Sequence, residues 1–145
     1  MIIDVNVAHK VLLADDDPDF GPVRRGLLPS PRAYIIMVYG GQLFEEYAAS
    51  PALLRMVRLL DQAGRARQVD GGAYEKALAE IVALDLCISN DSHIIALARA
   101  GGVRLLCSLD AALHADFTNQ RLLNRPRGKV YQTHSHRDLL RAACR

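Results

Sequence analysis

The sequence predicts an α/β fold in which a central, mainly parallel sheet is covered by helices. Apolar runs of strand length alternate along the chain with stretches whose apolar residues recur at helical spacing. This alternation is typical of parallel strands, because each crossover between them needs a connecting segment that is usually a helix. The chain has 145 residues, of which 50% are hydrophobic, so we expect one packed domain over residues 1–145.

Four apolar segments have the length and composition of buried strands. The first covers residues 2–5, the second residues 34–38, the third residues 103–107 and the last residues 129–131. β-Branched residues dominate the first two segments, and glycines directly precede the other two. In a parallel sheet the carboxyl ends of such strands meet at one edge, which is where ligands bind.

Helical spacing predicts the elements between these strands. One helix runs from residue 42 to about residue 49, and Ser50 followed by a proline begins the next helix. A third amphipathic helix covers residues 74–82, and Asp91 stands where it can cap a largely buried helix. A terminal helix is expected over residues 137–143.

Composition argues against a membrane protein and against a disulfide framework. No apolar stretch approaches the ~20 residues that span a bilayer, and the amino terminus lacks the basic start of a signal peptide. We therefore expect a cytoplasmic protein without a membrane partner.

Cys87, Cys107 and Cys144 form no CxxC pair, which argues against disulfides and zinc, and we interpret the first two as core residues.

The C-terminal segment 121–145 is basic, although the whole chain has a net charge of only +2. The segment carries seven basic residues and one acid, Asp138, and is either part of the domain or appended to it. A segment of this kind suits contact with a phosphate backbone, and a solvated tail explains it almost as well. The arginine pair at residues 24–25 leaves the same two possibilities open.

Acidic residues stand where the predicted strands end. Asp4 interrupts the first strand, Asp110 follows the third, Asp91 opens a buried helix, and Glu46 lies early in the helix after the second strand. Parallel strands with right-handed crossovers place all four at one edge of the sheet. A carboxylate in a buried strand is costly unless it is paired or binds a cation, so Asp4 is the most informative of the four.

Converging carboxylates predict a divalent cation, because the cation relieves the repulsion between them and takes their oxygens as ligands. Oxygen ligands without a His or Cys cluster favour Mg²⁺ or Mn²⁺ over zinc. Ions held in this way can activate a water molecule and stabilise the leaving oxygen of a phosphodiester. Phosphodiester hydrolysis is therefore the reaction that this set of residues best supports.

The same segments resemble the motifs of the PIN-domain family of nucleases. Residues 2–7 resemble its first strand, an apolar pair followed by Asp-x-Asn, and residues 42–47 are similar to the segment that supplies its glutamate. Residues 89–98 resemble its third motif, an Asp opening a helix rich in small residues, and residues 106–110 match a strand ending in Ser/Thr-x-Asp. With residues 124–131 as a closing segment, the resemblance covers the chain from residue 1 to about residue 131.

The resemblance implies a three-layer α/β/α sandwich with a catalytic acidic site. Asp4 and Asp110 would be direct ligands of Mg²⁺ or Mn²⁺, and Asp91 a direct or water-mediated ligand. Glu46 would hold a second ion or orient the attacking water. We prefer it to Glu45 because an apolar or aromatic residue usually follows the glutamate of the family.

Further residues are expected around this site. Asp116 stands where the family often has an additional metal-binding acid, and Asn6 and Ser108 would orient ligands or contact phosphate. His93 lies close to Asp91 in sequence and could contact substrate or cap the helix, and we favour a purely structural interpretation. The remaining candidates for substrate binding belong to the basic segment and are Arg125, Arg127 and Lys129.

Single-domain members of the family imply a metal-dependent endoribonuclease that serves as the toxin of a toxin–antitoxin pair. The expected partners are an RNA substrate, an antitoxin protein and further copies of the chain in a homodimer or higher oligomer. Two alternatives stay open. One is a DNA-directed or structure-specific nuclease with the same acids, and the other is a non-catalytic nucleic-acid-binding module.

Overall fold

The computed structural model describes residues 1–143, so Cys144 lies outside the described residues. All five strands are short, and in chain order they are β1 (Ile2–Ile3), β2 (Met37–Tyr39), β3 (Ala66–Gln68), β4 (Leu105–Cys107) and β5 (Lys129–Tyr131). The helices are α1 (Val5–Leu12), α2 (Gly21–Leu27), α3 (Gly41–Ala48), α4 (Pro51–Gln62), α5 (Gly71–Leu84), α6 (Ser92–Gly101), α7 (Ala111–Phe117) and α8 (Arg137–Ala143), with a 3₁₀ turn at His134–His136 before α8.

The strands pair in parallel throughout. Strands β1, β4 and β5 form one sheet with β4 in the middle, and β2 pairs with β3. Two backbone hydrogen bonds join the two sheets, from Met1 N to the carbonyl of Ile36 (3.0 Å) and from Val38 N to the carbonyl of Met1 (2.8 Å). The strands therefore lie side by side in the order β3-β2-β1-β4-β5, with their carboxyl ends at one edge.

Helices pack around this sheet in two groups. In the first group, α1 contacts α2 and α4, and α2 contacts α8. In the second group, α5 packs against α6, and α3 contacts members of both groups. The interior is apolar and includes Ile2 and Ile3, which are fully buried. This arrangement confirms a mixed α/β fold of the three-layer kind with a small, parallel sheet. Within residues 1–143 no helix is long and apolar enough to cross a membrane.

Three elements of the structure are missing from the sequence-based prediction. Helix α1 follows Asp4 directly, without a separate start signal, and α2 contains Pro22 and follows Pro18 and a run of aspartates, which concealed its helical pattern. Strand β3 has three residues, of which Arg67 and Gln68 are exposed, so no apolar run announces it. Its pairing with β2 supplies the backbone hydrogen bonds that define it as a strand.

Gly41 opens helix α3, which carries Glu46, and no other residue type fits there. Its φ is +51°, and a Cβ would overlap the ring of Tyr74.

We expect Gly41→Ala to lower the free energy of unfolding by about 3 kcal/mol, as measured by urea denaturation, since strain and overpacking both oppose it. Gly64→Ala is the matched control, because Gly64 has φ +68° with no atom within 4 Å, so only the cost of about 1 kcal/mol for the backbone remains. Equal losses in the two variants would contradict the packing explanation.

Candidate acidic site

Asp4 is held at the carboxyl edge of the sheet by contacts with the end of β4 and the residue after it, and α3 contacts the residue that precedes Asp4. Its backbone N–H donates to the carbonyl of Cys107 at the end of β4 (2.9 Å), and its carboxylate Oδ2 accepts a hydrogen bond from Ser108 Oγ (2.7 Å). The hydroxyl of Tyr47 on α3 donates to the carbonyl of Ile3, the residue before Asp4. The Asp4 residue is only 6% exposed. It is therefore a fixed, buried carboxylate, as the sequence predicted.

Burial raises the pKa of Asp4 above its ordinary value. The hydrogen bond from Ser108 lowers this pKa, and so does a backbone hydrogen bond from Asn6, whose side chain is exposed. The charges of Asp91 and Glu46 raise it further. Since electrostatic repulsion of this kind requires proximity, the structure brings Asp91 and Glu46 near Asp4.

Ser108 links Asp4 to Asp110. Its hydroxyl donates to Asp4 and accepts from the backbone N–H of Asp110 (3.1 Å). Asp110 is the N-cap of α7, where its Oδ1 accepts from Leu113 N (3.0 Å). The imidazole Nε2 of His114 lies 2.6 Å from the carbonyl oxygen of Ser108 and fixes this turn from the other side. Ser108 thus positions two acids, and its role in orienting ligands or contacting phosphate stays a prediction.

Asp91 begins α6 but leaves its carboxylate unused by the helix, since the side chain makes no cap hydrogen bond. Burial raises the pKa of Asp91, and the nearby His93 lowers this pKa. The charges of Asp110, Glu46 and Asp116 raise it further. Because Asp91 is affected by Asp110 and by Glu46, it connects the two halves of the acidic edge. Asp91 is thus within electrostatic reach of Glu46 and Asp110, and Asp4 is within reach of Asp91 and Glu46.

Glu46 faces this edge, whereas Glu45 is exposed. The Glu46 Oε1 atom accepts a hydrogen bond from Gln42 Nε2 (3.2 Å) and lies 3.4 Å from His93 Nε2. His93 is only 4% exposed, and its Nε2 has no hydrogen-bond partner among the described residues, since the contact with Glu46 lacks hydrogen-bond geometry. His93 therefore stands next to the acids with an unsatisfied nitrogen. In the sequence, its one signal was a position two residues after Asp91 in an apolar helix.

Asp116 is buried and engaged elsewhere. It is 2% exposed, and its two carboxylate oxygens accept hydrogen bonds from Ile88 N (2.9 Å), Ser89 N (2.9 Å) and Ser89 Oγ (2.6 Å). Ser89 Oγ in turn accepts from the backbone N–H of Asp91 (3.2 Å). Asp116 thus supports the loop that carries Asp91. Its role as a metal ligand stays a prediction, and both of its oxygens already have protein donors.

The structure does not bring the basic candidates of the C-terminal segment to the acids. Lys129 is the first residue of β5 and pairs with Leu105, the first residue of β4, whereas the acids follow the last residues of β1 and β4. Arg125 and Arg127 precede β5, and Arg127 Nε donates to the carbonyl of Thr118 (2.8 Å). The three basic residues therefore lie at the amino edge of the sheet. Spacing along the chain could not reveal this, because the direction of β5 decides it.

The acids are near one another but are not gathered into a coordination shell. Among residues 1–143, no group of three or more His, Cys, Asp or Glu side chains is close enough to hold a metal ion. Their chemistry nevertheless fits a divalent cation, since all are hard oxygen donors whose mutual repulsion raises the pKa of Asp4 and Asp91. Asp91 and Glu46 are only partly buried, so their side chains have room to turn toward Asp4.

Comparison with known proteins adds no assignment to this site: no protein-family model, no curated protein and no solved structure matches the chain. Its chemistry has to be inferred from the residues and their geometry.

Proposed function

We propose that this protein is a metal-dependent nuclease that hydrolyses phosphodiester bonds at the edge formed by Asp4, Glu46, Asp91 and Asp110. The observation that supports this most is the buried carboxylate of Asp4, whose pKa is raised by burial and by two neighbouring acids. An ionised group in such surroundings is unfavourable unless a cation neutralises it. A site of this kind suits Mg²⁺ or Mn²⁺ together with a polyanionic substrate.

In this proposal each acid has a distinct task. Asp4 and Asp110, joined through Ser108, would hold the ion directly, and Asp91 would hold it directly or through water. When bound, the ion supplies an activated water molecule and neutralises charge on the phosphate. Glu46 would orient the water or hold a second ion, and the imidazole of His93 lies 3.4 Å from it.

RNA is the preferred substrate, because the four motifs resemble those of PIN-domain ribonucleases. The same resemblance supports a role as the toxin of a toxin–antitoxin pair in the cytoplasm, with an antitoxin protein and a homodimer or higher oligomer as partners. A DNA-directed or structure-specific nuclease would use the same acids. A non-catalytic binding module is favoured by one observation, the absence of a preformed coordination shell among the described residues.

The decisive experiment compares substrates and metals. The purified protein is incubated with labelled single-stranded RNA, single-stranded DNA of matched sequence and a branched duplex, each in Mg²⁺, Mn²⁺ or EDTA. We expect internal cleavage of the RNA in Mg²⁺ and Mn²⁺ and none in EDTA. Faster cleavage of DNA or of the branched duplex would identify that nucleic acid, and not RNA, as the preferred substrate. Cleavage that continues in EDTA would contradict the metal mechanism, and the absence of both cleavage and thermal stabilisation by Mg²⁺ would favour the binding module.

A further inference from the structure

A basic cleft of about 600 Å³ lies between α2 and the C-terminal segment, formed by residues outside the acidic site. Four arginines line it, Arg25 and Arg32 from α2 and the following loop and Arg137 and Arg141 from α8, together with Asp138. Four positive charges against one negative charge leave a formal charge of +3. A concave surface with this charge concentrates anions.

The guanidinium groups of this cleft are not engaged in hydrogen bonds or ion pairs within the part of the chain that the structure describes. None of the four arginines donates a side-chain hydrogen bond or forms an ion pair with residues 1–143. Other arginines of the fold are used structurally, as Arg99 donates to the carbonyl of Leu122 (2.6 Å) and Arg104 to that of Pro126 (3.0 Å). Guanidinium groups that line one cleft without acidic partners repel one another, and their fork of donors matches the oxygens of a phosphate.

One end of the cleft lies near the acidic edge of the sheet. His134 lines the cleft and follows Tyr131, the last residue of β5, by three residues, which span at most about 10 Å of chain. The carbonyl of Tyr131 accepts a hydrogen bond from Ser108 N (3.3 Å), and Ser108 Oγ contacts Asp4. The His134 end of the cleft therefore lies a few residues from the strand end that contacts Ser108.

Tyr34 supplies an aromatic surface in the same cleft. It is 41% exposed and lines the cleft together with the arginines. An aromatic ring next to arginines is the combination that binds single-stranded nucleic acid, since the ring stacks on a base and the arginines contact the backbone. The volume lies within the range of sites that enclose one small ligand, about 300–1,000 Å³.

We propose that this cleft binds the phosphates of single-stranded RNA, with a base stacked on Tyr34, while a neighbouring phosphodiester of the same strand lies at the acidic edge. This inference rests on the proposed nuclease function, and it adds the path of the substrate. Arg137 and Arg141 then explain why the C-terminal segment is basic, whereas Arg125, Arg127 and Lys129 face the opposite edge of the sheet.

The test measures binding separately from cleavage. Fluorescence anisotropy follows a labelled single-stranded RNA of about ten nucleotides, within the usual site sizes of such proteins, in EDTA. The variant Arg25→Gln/Arg141→Gln is compared with Arg55→Gln/Arg58→Gln, which removes the same charge from exposed positions on α4. We expect Kd to rise at least tenfold in the cleft variant and less than threefold in the control. The slope of log K against log salt should fall by about 1.4 in the cleft variant alone, for two lost phosphate contacts.

Two further comparisons decide what the cleft holds. Tyr34→Ala should weaken RNA binding severalfold, and Tyr34→Phe should leave it unchanged, because only the ring is required for stacking. Equal weakening in the two arginine variants would overturn the proposal, since net charge alone would then explain it. Competition by AMP or inorganic phosphate as effective as that by RNA would also overturn it and indicate a site for free phosphate compounds.

The outcome separates this inference from the proposed function. If RNA is cleaved normally at saturation and the cleft variant binds as tightly as the wild type, only the cleft proposal fails. If RNA binding depends on the cleft and no metal supports cleavage, only the nuclease proposal fails. Thermal unfolding of every variant verifies that each remains folded.

Discussion

Asp4→Asn is expected to reduce metal-dependent cleavage by at least about 10³-fold, equivalent to about 4 kcal/mol of transition-state stabilisation. Asparagine has nearly the same shape and can still accept the hydrogen bond from Ser108 Oγ, so the fold should be retained. Asparagine lacks the negative charge that a bound Mg²⁺ ion would require. Cleavage is measured as initial rates on labelled RNA in Mg²⁺, with Asp16→Asn as the control, because Asp16 is an exposed loop residue.

The same substitution is expected to stabilise the metal-free protein by about 1 kcal/mol, the usual gain from removing an unfavourable charge. Burial and the charges of Asp91 and Glu46 make the ionised form of Asp4 unfavourable, and asparagine removes that penalty. A gain in melting temperature of about 4 °C in EDTA is the expected observation. Mg²⁺ should raise the melting temperature of the wild type and leave that of Asp4→Asn unchanged, because only the wild type binds the ion. Wild-type activity in Asp4→Asn would refute the metal site.

The gain should depend on pH in a defined direction. Because the pKa of Asp4 is raised in the folded protein, folding favours the protonated form of Asp4. The resulting contribution to stability is complete below the ordinary pKa near 3.8 and is lost as pH rises through the raised pKa. The advantage of Asp4→Asn over the wild type should therefore be largest at neutral pH and disappear as the pH falls toward 3.8. Urea denaturation of both proteins across this range measures it, and an advantage that grows on acidification would contradict the cause.

Asp116→Ala is expected to lower the free energy of unfolding by about 3 kcal/mol, which corresponds to a loss of about 10 °C in melting temperature. The substitution removes an acceptor that serves Ile88 N, Ser89 N and Ser89 Oγ, and it leaves these donors in a partly buried loop. Because this loop positions Asp91, cleavage should also fall even where the protein is still folded. Thermal unfolding followed by circular dichroism measures the first effect.

The matched control for this prediction is Asp16→Ala, which removes a carboxylate from an exposed loop. It should change the melting temperature by less than about 2 °C, since surface substitutions usually stay within ±0.5 kcal/mol. If Asp116→Ala were as stable as the wild type but no longer bound Mg²⁺, Asp116 would be a metal ligand, as the sequence resemblance implies. A loss of stability with Mg²⁺ binding retained would make it a support of the Asp91 loop.

The local pattern of the chain was sufficient to predict most of the fold. Four strands could be predicted because they are apolar runs bounded by glycine or polar residues, and α4 and α6 because Ser50 and Asp91 precede them. Strand β3 could not, because Arg67 and Gln68 are exposed and become a strand only by pairing with β2. Helix α1 was hidden because its buried face follows directly on Asp4 without a separate start signal.

By itself, the sequence predicted which carboxylates lie at the candidate site. Asp4, Asp91 and Asp110 follow strands or open helices, and such positions meet at one edge of any parallel sheet. Only the tertiary structure decided that Glu46 rather than Glu45 faces them, that His93 stands beside Glu46, and that Asp116 supports a loop. Only the tertiary structure also separated the basic residues, since Lys129 lies at the far edge and both Arg25 and Arg141 line one cleft. The physical reason is that position along a strand or helix follows from local pattern, whereas the neighbours of a side chain depend on strand direction and helix packing, which are set by contacts distant in sequence.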